Sequence, residues 1–277
     1  MSAVLSALPA AVPPSLSLVK NPQPFRKDWF DAAPPQRSIE AERRYRKENL
    51  AVAYRLFAQL GFDYGLAGHI TARDPELLDH FWVNPLGVHF SQIKVSDLML
   101  VNHQGEIVVG QGPLNRAAFA IHAALHEARP DIVAAAHTHS TYGKAWASLG
   151  RTLDPLTQDA CMFYEDHALF DDFNGVVLDT DEGFRIGKVL GSHKAVILRN
   201  HGILTVGPSV ESAVWWYSAL ENACQAQLLA EAAGQPRPIP HAVAQLTHAQ
   251  IGGPGGANHA FKAWFDILVR QQPEVLE

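Results

Sequence analysis

Ile132-Val133-Ala134-Ala135-Ala136-His137-Thr138-His139 reads as a strand that ends in two histidines. Its Ala and Val content predicts burial on both faces. Side chains two apart on a strand point the same way, so His137 and His139 share a face. A strand end lies at a sheet rim, where a pocket can open. A second apolar run, Ala195 to Leu198, leads into Arg199-Asn200-His201-Gly202, and Ile203 to Val206 follows as a further strand stopped by Gly207-Pro208. If the two histidine-bearing segments are neighbours, His201 brings a third imidazole beside the first two. Three protein ligands with an open position describe a catalytic metal site rather than a structural one. On spacing alone, the His-x-His pair fits two ordinary surface or core histidines just as well.

Working outward, Ser38 fits the N-cap of a helix that runs to about Leu60, with Leu50, Tyr54, Phe57 and Leu60 at helical spacing and Gly61 as its stop. Gly68 to Arg73, Phe81 to Val83 and Met99 to Val101 read as strands. Asn102 to Gly105 reads as a hairpin turn from which Glu106 to Val109 returns. Residues 116–128 form a second helix, broken at Arg129-Pro130-Asp131. Thr141 to Leu149 is a short helix or helical turn, and Glu211 to Ala233 a long helix. Gly252-Gly253-Pro254-Gly255-Gly256 reads as a flexible linker before a last amphipathic helix from about Asn258. No internal repeat is visible. The mixture predicts an α/β layered domain around a mostly antiparallel sheet.

Composition narrows the function class. The chain has 277 residues, 47% hydrophobic and 18% charged, with a net charge of -6. No Lys/Arg-rich run provides the basic patch that a nucleic-acid surface needs. No apolar run reaches the roughly 20 residues that cross a bilayer, so no membrane role is expected. Met1 to Pro14 lacks the basic start of a signal peptide and reads as part of a loose, Pro- and Ser-rich extension over residues 1–37. Cys161 and Cys224 fit a reducing cytoplasm, both as buried thiols.

From about Glu42 to Gly234 the chain resembles the class II aldolase/adducin family. The resemblance is carried by Gly68-His69-Ile70-Thr71, by Asn84-Pro85-Leu86-Gly87, and by Ala128-Arg129-Pro130-Asp131 followed by His137-Thr138-His139. Asn200-His201-Gly202 and the closing long helix complete it. It implies a three-layer α/β/α domain with a central, mostly antiparallel sheet, spanning residues 38–234, with a C-terminal linker and helix over 235–277. It also implies a homotetramer with active sites near subunit interfaces. A small-molecule substrate is expected, and one divalent metal ion (Fe2+, Zn2+ or Mn2+) held by His137, His139 and His201.

The sequence departs from the family pattern in two ways. The aldolases carry a glutamate ahead of the first metal histidine, and the ungapped position here is Ala118. No carboxylate lies between Glu106 and Glu127. The phosphate-binding serines are replaced by Asn115, Arg116 and Ala117, and His69 stands where the family has asparagine. A sugar-phosphate aldolase or epimerase is therefore not expected. The resemblance leaves a lyase of decarboxylase or aldolase type acting on a small, non-phosphorylated 2-oxo or hydroxy acid. The alternatives are an iron(II) oxygenase that decarboxylates an aromatic acid oxidatively, and an adducin-like scaffold.

Further residues are candidates around the metal. His69, Asn115, Arg116 and Tyr142 are candidates for substrate binding, and Arg116 can grip a carboxylate in a two-pronged manner. Arg116 fits better a solvated side chain on the helix's first turn. Within Cys161 to His167, Glu165 is the candidate acid or base, set against a loop whose charges face water. His122 and His126 lie four apart on one helix face. They either hold a second ion, or one is buried and the other exposed. Trp215, Trp216 and Tyr217 suit the core or a subunit contact.

Overall fold

The computed structural model describes residues 35–176 and 180–277. The extension expected over residues 1–37 falls outside them up to residue 34. Among the described residues, eight strands form one sheet: β1 (Gly68–Arg73), β2 (His80–Val83), β3 (Met99–Asn102), β4 (Ile107–Val109), β5 (Ala134–Thr138), β6 (His167–Phe170), β7 (Ala195–Leu198) and β8 (Gly202–Gly207). Their order is β4-β3-β2-β1-β5-β8-β7-β6. Every pairing is antiparallel except β6 with β7.

The helices are α1 (Ile39–Gln59), α2 (Arg116–Ala128), α3 (Thr141–Ala147), α4 (Thr180–Leu190), α5 (Val210–Ala233), α6 (His241–Ile251) and α7 (Pro254–Gln271). Alternation along the central strands sorts them into two outer layers. Ala134 and Ala136 of β5, Ile70 and Ala72 of β1 and Ile203 of β8 pack in one core with Tyr54, Phe57, Val214 and Tyr217 of α1 and α5. Ala135 of β5 and Leu204 and Val206 of β8 pack in another with Ile121, Leu125 and Ile186 of α2 and α4. The three-layer α/β/α arrangement is thus a consequence of strands buried on both faces. His137 follows the parity of Ala135 and faces the α2 layer, whereas Thr138 faces α5 and bonds to the Tyr217 hydroxyl.

The predicted boundaries hold closely for α1, α2, α5, β7 and β8. Ser38 caps α1 through its side chain, as expected. Three elements go beyond the sequence reading. β6 is a four-residue edge strand with only Phe170 fully buried, too short to carry a period. α4 contains Gly183 and Gly187, which weaken its helical signal. Gly183 is there for packing, since a Cβ would stand 2.4 Å from the Ala120 carbonyl oxygen of α2. α6 has a single buried residue, Ala244.

The linker reading of Gly252 to Gly256 is corrected. Gly253 is the N-cap and Pro254 opens α7. A proline at the first helical position has its φ preset and loses no hydrogen bond. Burial of Ala257, Phe261 and Leu268 in the core shared with α5 then holds the glycine-rich turn helical.

Candidate metal centre

The β5–β8 pairing is what assembles the site. His137 pairs with Leu204 and Thr138 with Ile203, so the end of β5 lies beside the start of β8. His201 sits in the tight turn between β7 and β8, where its N–H donates to Leu198 O at 3.0 Å. The preceding Asn200 has φ 58, a left-handed conformation that asparagine tolerates. The turn delivers His201 onto the His137 face. Ring centroids are 4.7 Å apart for His137 and His201, 4.9 Å for His139 and His201, and 5.4 Å for His137 and His139. One nitrogen from each lies within 4.8 Å of the others, close enough to share one cation.

The donor set suits a divalent metal. His137 Nδ1 is 2.8 Å from Ile203 O. A carbonyl only accepts, so Nδ1 carries the proton and Nε2 is left with its lone pair, the arrangement that orients a metal-binding imidazole. Burial, reinforced by the neighbouring imidazoles, keeps His137 well below the ordinary histidine range and brings His201 down to about 4. Burial, with Lys144 nearby, also lowers His139. All three rings are therefore neutral at pH 7, the form in which an imidazole can bind a metal.

His137, His139 and His201 line a cavity of about 490 Å3, together with His69, Asn115 and Lys144. Ala118 and Ile121 of α2 supply apolar wall, and Phe173 and Val176 lie at its exposed edge. Among the described lining residues there is no carboxylate, and Lys144 is the one lysine or arginine.

The other expected site residues divide. His69 stands opposite His137 in the β1–β5 register, its ring 5.5 Å away and 4.0 Å from His122. Neither of its ring nitrogens has a hydrogen-bond partner among the described residues. Asn115 caps α2 by accepting from Ala118 N–H and reaches the cavity. Arg116 is exposed and does not line the cavity, in keeping with a solvated first-turn residue. Tyr142 packs on the α5 side of the sheet instead. Glu165 is a correction. It precedes β6, which runs parallel to β7, so it lies at the opposite end of these strands from His201. There its exposed carboxylate accepts from Gln245 Nε2.

His122 and His126 are both buried, against the expectation of one exposed ring. They flank the Thr71 hydroxyl at 2.7 and 2.9 Å, because β1 packs directly under α2. Cys161 and Cys224 are both free and buried. Lys144 was missed. Its signal was available: it is the one charge in Thr141 to Leu149, directly after the histidine pair.

These imidazoles make a pH prediction. Burial is the first cause of the lowered pKa of His69, His122, His126, His137 and His201. Each folded-state value lies below the unfolded value of about 6.5, so the unfolded chain binds more protons once the pH drops below that value. Metal-free protein should lose stability from pH 6.5 toward 4, by up to roughly 1.4 kcal/mol per pH unit for each ring that titrates only on unfolding. Urea melts at graded pH measure this, and a flat profile down to pH 5 would contradict neutral burial.

Comparison with known proteins agrees with this geometry. Residues 48–228 match the class II aldolase and adducin N-terminal domain. The chain is 51% identical over 227 residues to decarboxylase NovR of Streptomyces niveus, covering 81% of this chain and 84% of that protein. It is 50% identical to the 4-hydroxy-3-prenylphenylpyruvate oxygenase/4-hydroxy-3-prenylbenzoate synthase of Streptomyces roseochromogenus subsp. oscitans, covering 81% and 82%. A solved L-fuculose 1-phosphate aldolase from Glaciozyma antarctica PI12 superposes with a TM-score of 0.83 at 43% identity, covering 90% of this chain and 98% of that one. The chain belongs to the class II aldolase and adducin family, and its similarity to relatives named for their catalysis marks it as an enzyme.

Proposed function

We propose that the protein is a metal-dependent enzyme that cleaves the carbon–carbon bond to a carboxylate in a small aromatic oxo or hydroxy acid that carries a carbonyl placed to take up the electron pair left behind. The observation that carries this is the three-histidine cluster, which opens on a cavity with no described carboxylate and with Lys144 as its cation. A divalent ion held by His137, His139 and His201 would supply Lewis-acid polarisation of the substrate's oxygens. The chain's own residues do the rest. Lys144 pairs with the substrate carboxylate, and Ala118, Ile121 and Phe173 accept an apolar ring. His69 and Asn115 offer polar contacts beside the metal ligands.

The missing acid at position 118 favours decarboxylation over retro-aldol cleavage, which needs a base to remove a hydroxyl proton. Carbon dioxide departs without one. A phosphorylated substrate is disfavoured because Lys144 is the one lysine or arginine among the described lining residues, and Arg116 does not line the cavity.

A second reading has specific support, since one relative at half identity is named an oxygenase of a phenylpyruvate. Loss of carbon dioxide from a simple 2-oxo acid leaves an electron pair on a carbonyl carbon with no adjacent sink. Such a substrate requires an oxidant, and dioxygen with iron(II) would serve, the three histidines replacing the usual two-histidine, one-carboxylate set. Elemental analysis of protein purified without added metal, followed by anaerobic assay with aromatic 2-oxo and 3-oxo acids, tests the pair. Zinc or manganese with turnover under nitrogen supports the lyase. Iron with strict dioxygen consumption supports the oxygenase. Absence of metal and of turnover in both atmospheres would sink both.

A further inference from the structure

We propose that Glu221, a buried carboxylate on α5, is a positioning residue that fixes His139 and Lys144 by capping α3 from a different helix. The inference rests on the metal-centre reading above.

The first turn of a helix leaves N–H groups that need acceptors. α3 starts immediately after His139, and its own N-cap, Ser140, makes no capping bond. Glu221 takes over that task. Its Oε2 accepts from Ser140 Oγ at 2.6 Å and from Gly143 N–H at 2.6 Å, and its Oε1 accepts from Tyr142 N–H at 2.8 Å. Hydrogen bonds to an ionised acceptor are short and roughly twice as strong as neutral ones, and a negative charge suits a helix N-terminus.

One turn earlier on α5, the Tyr217 hydroxyl lies 2.8 Å from Ser140 Oγ and 2.7 Å from Thr138 Oγ1, and donates to Thr138 O at 3.0 Å. Both neighbours of His139 are thus tied to α5, while His139 itself turns to the other face.

The approach requires glycine at 143. A Cβ there would stand 2.8 Å from Glu221 Oε2 and 2.8 Å from Ile203 Cγ1, so any side chain pushes α3 away from both α5 and β8. The pinned residues 140–143 have His139 at one end and Lys144 at the other. Glu221 itself is not among the residues lining the cavity. It therefore sets the spacing between a metal ligand and the cation through the backbone alone.

Cobalt(II) titration of metal-free protein, followed by its visible absorption bands and by competition with a chelator, tests this. Glu221→Gln should weaken cobalt binding by about ten- to hundred-fold, as loss of an outer-sphere support does, and change the band pattern. Gly143→Ala should act in the same direction, providing a second route if Glu221→Gln folds poorly. Glu211→Gln is the control, being equally buried on the same helix and bonded to the Tyr45 hydroxyl, and should leave affinity and spectrum unchanged. Amide exchange at Tyr142 and Gly143 should quicken in Glu221→Gln and not in Glu211→Gln. Wild-type affinity and spectrum in both Glu221→Gln and Gly143→Ala would overturn the positioning role and leave the metal centre standing. Wild-type protein that binds no cobalt would overturn the metal centre itself, and the positioning role with it.

Discussion

Replacing His139 by alanine should abolish metal-dependent turnover and leave the fold intact. His139 is half-buried at the cavity, after the last residue of β5, and its removal opens space toward the cavity rather than in a packed core. The strand is held by its pairing with β1 and β8, which does not involve the His139 ring. Metal affinity is another matter. Supports one step removed from a metal are worth 10- to 100-fold in affinity, so loss of a ligand should exceed about 100-fold. Metal content after dialysis, a thermal melt and turnover together read the result. A variant that keeps its metal and its full activity would remove His139 from the ligand set.

Lys144→Met should raise KM for a carboxylate-bearing substrate by about 10- to 100-fold, the equivalent of losing one hydrogen bond to a charged group. Lys144 is the cation among the described lining residues, and its ammonium rests 4.6 Å from the Tyr64 ring centroid. It makes no bond that the sheet or the core depends on, and methionine keeps most of the stem. Bound metal and melting temperature should therefore stay as in the wild type. An unchanged KM would mean that the acid group is held by the metal alone.

The clustering of the three histidines was legible because it depends on short-range rules. His137 and His139 share a face by strand geometry, and the strand itself is visible in its run of apolar residues. His201 required one step more, the adjacency of β5 and β8, which spacing does not encode and family resemblance supplied. Lys144 lay within reach of the same rules, as the one charge directly after the histidine pair, and Glu221 did not. Lys144 reaches the cavity because α3 starts at once after β5, and Glu221 meets α3 across 78 residues of sequence separation. Nothing in the residues around Glu221 distinguishes it from a solvated charge on a long helix.

Glu165 failed for the opposite reason. Its polar, aromatic-rich neighbourhood has the composition of an active site, but the parallel pairing of β6 with β7 carries it to the far end of the sheet. The fold was more legible than the site because burial leaves a period along α1 and α2, and a long apolar composition along α5 and along β5, β7 and β8. The half-exposed β6 and α6 leave no such mark.

X-ray absorption at the metal edge of the native enzyme, recorded with and without a bound 2-oxo acid, bears most directly on the account. Three imidazole nitrogens with the balance of the shell in exchangeable oxygen, altered when the acid is added, is the predicted spectrum. A shell closed by four protein ligands and indifferent to the acid would contradict it.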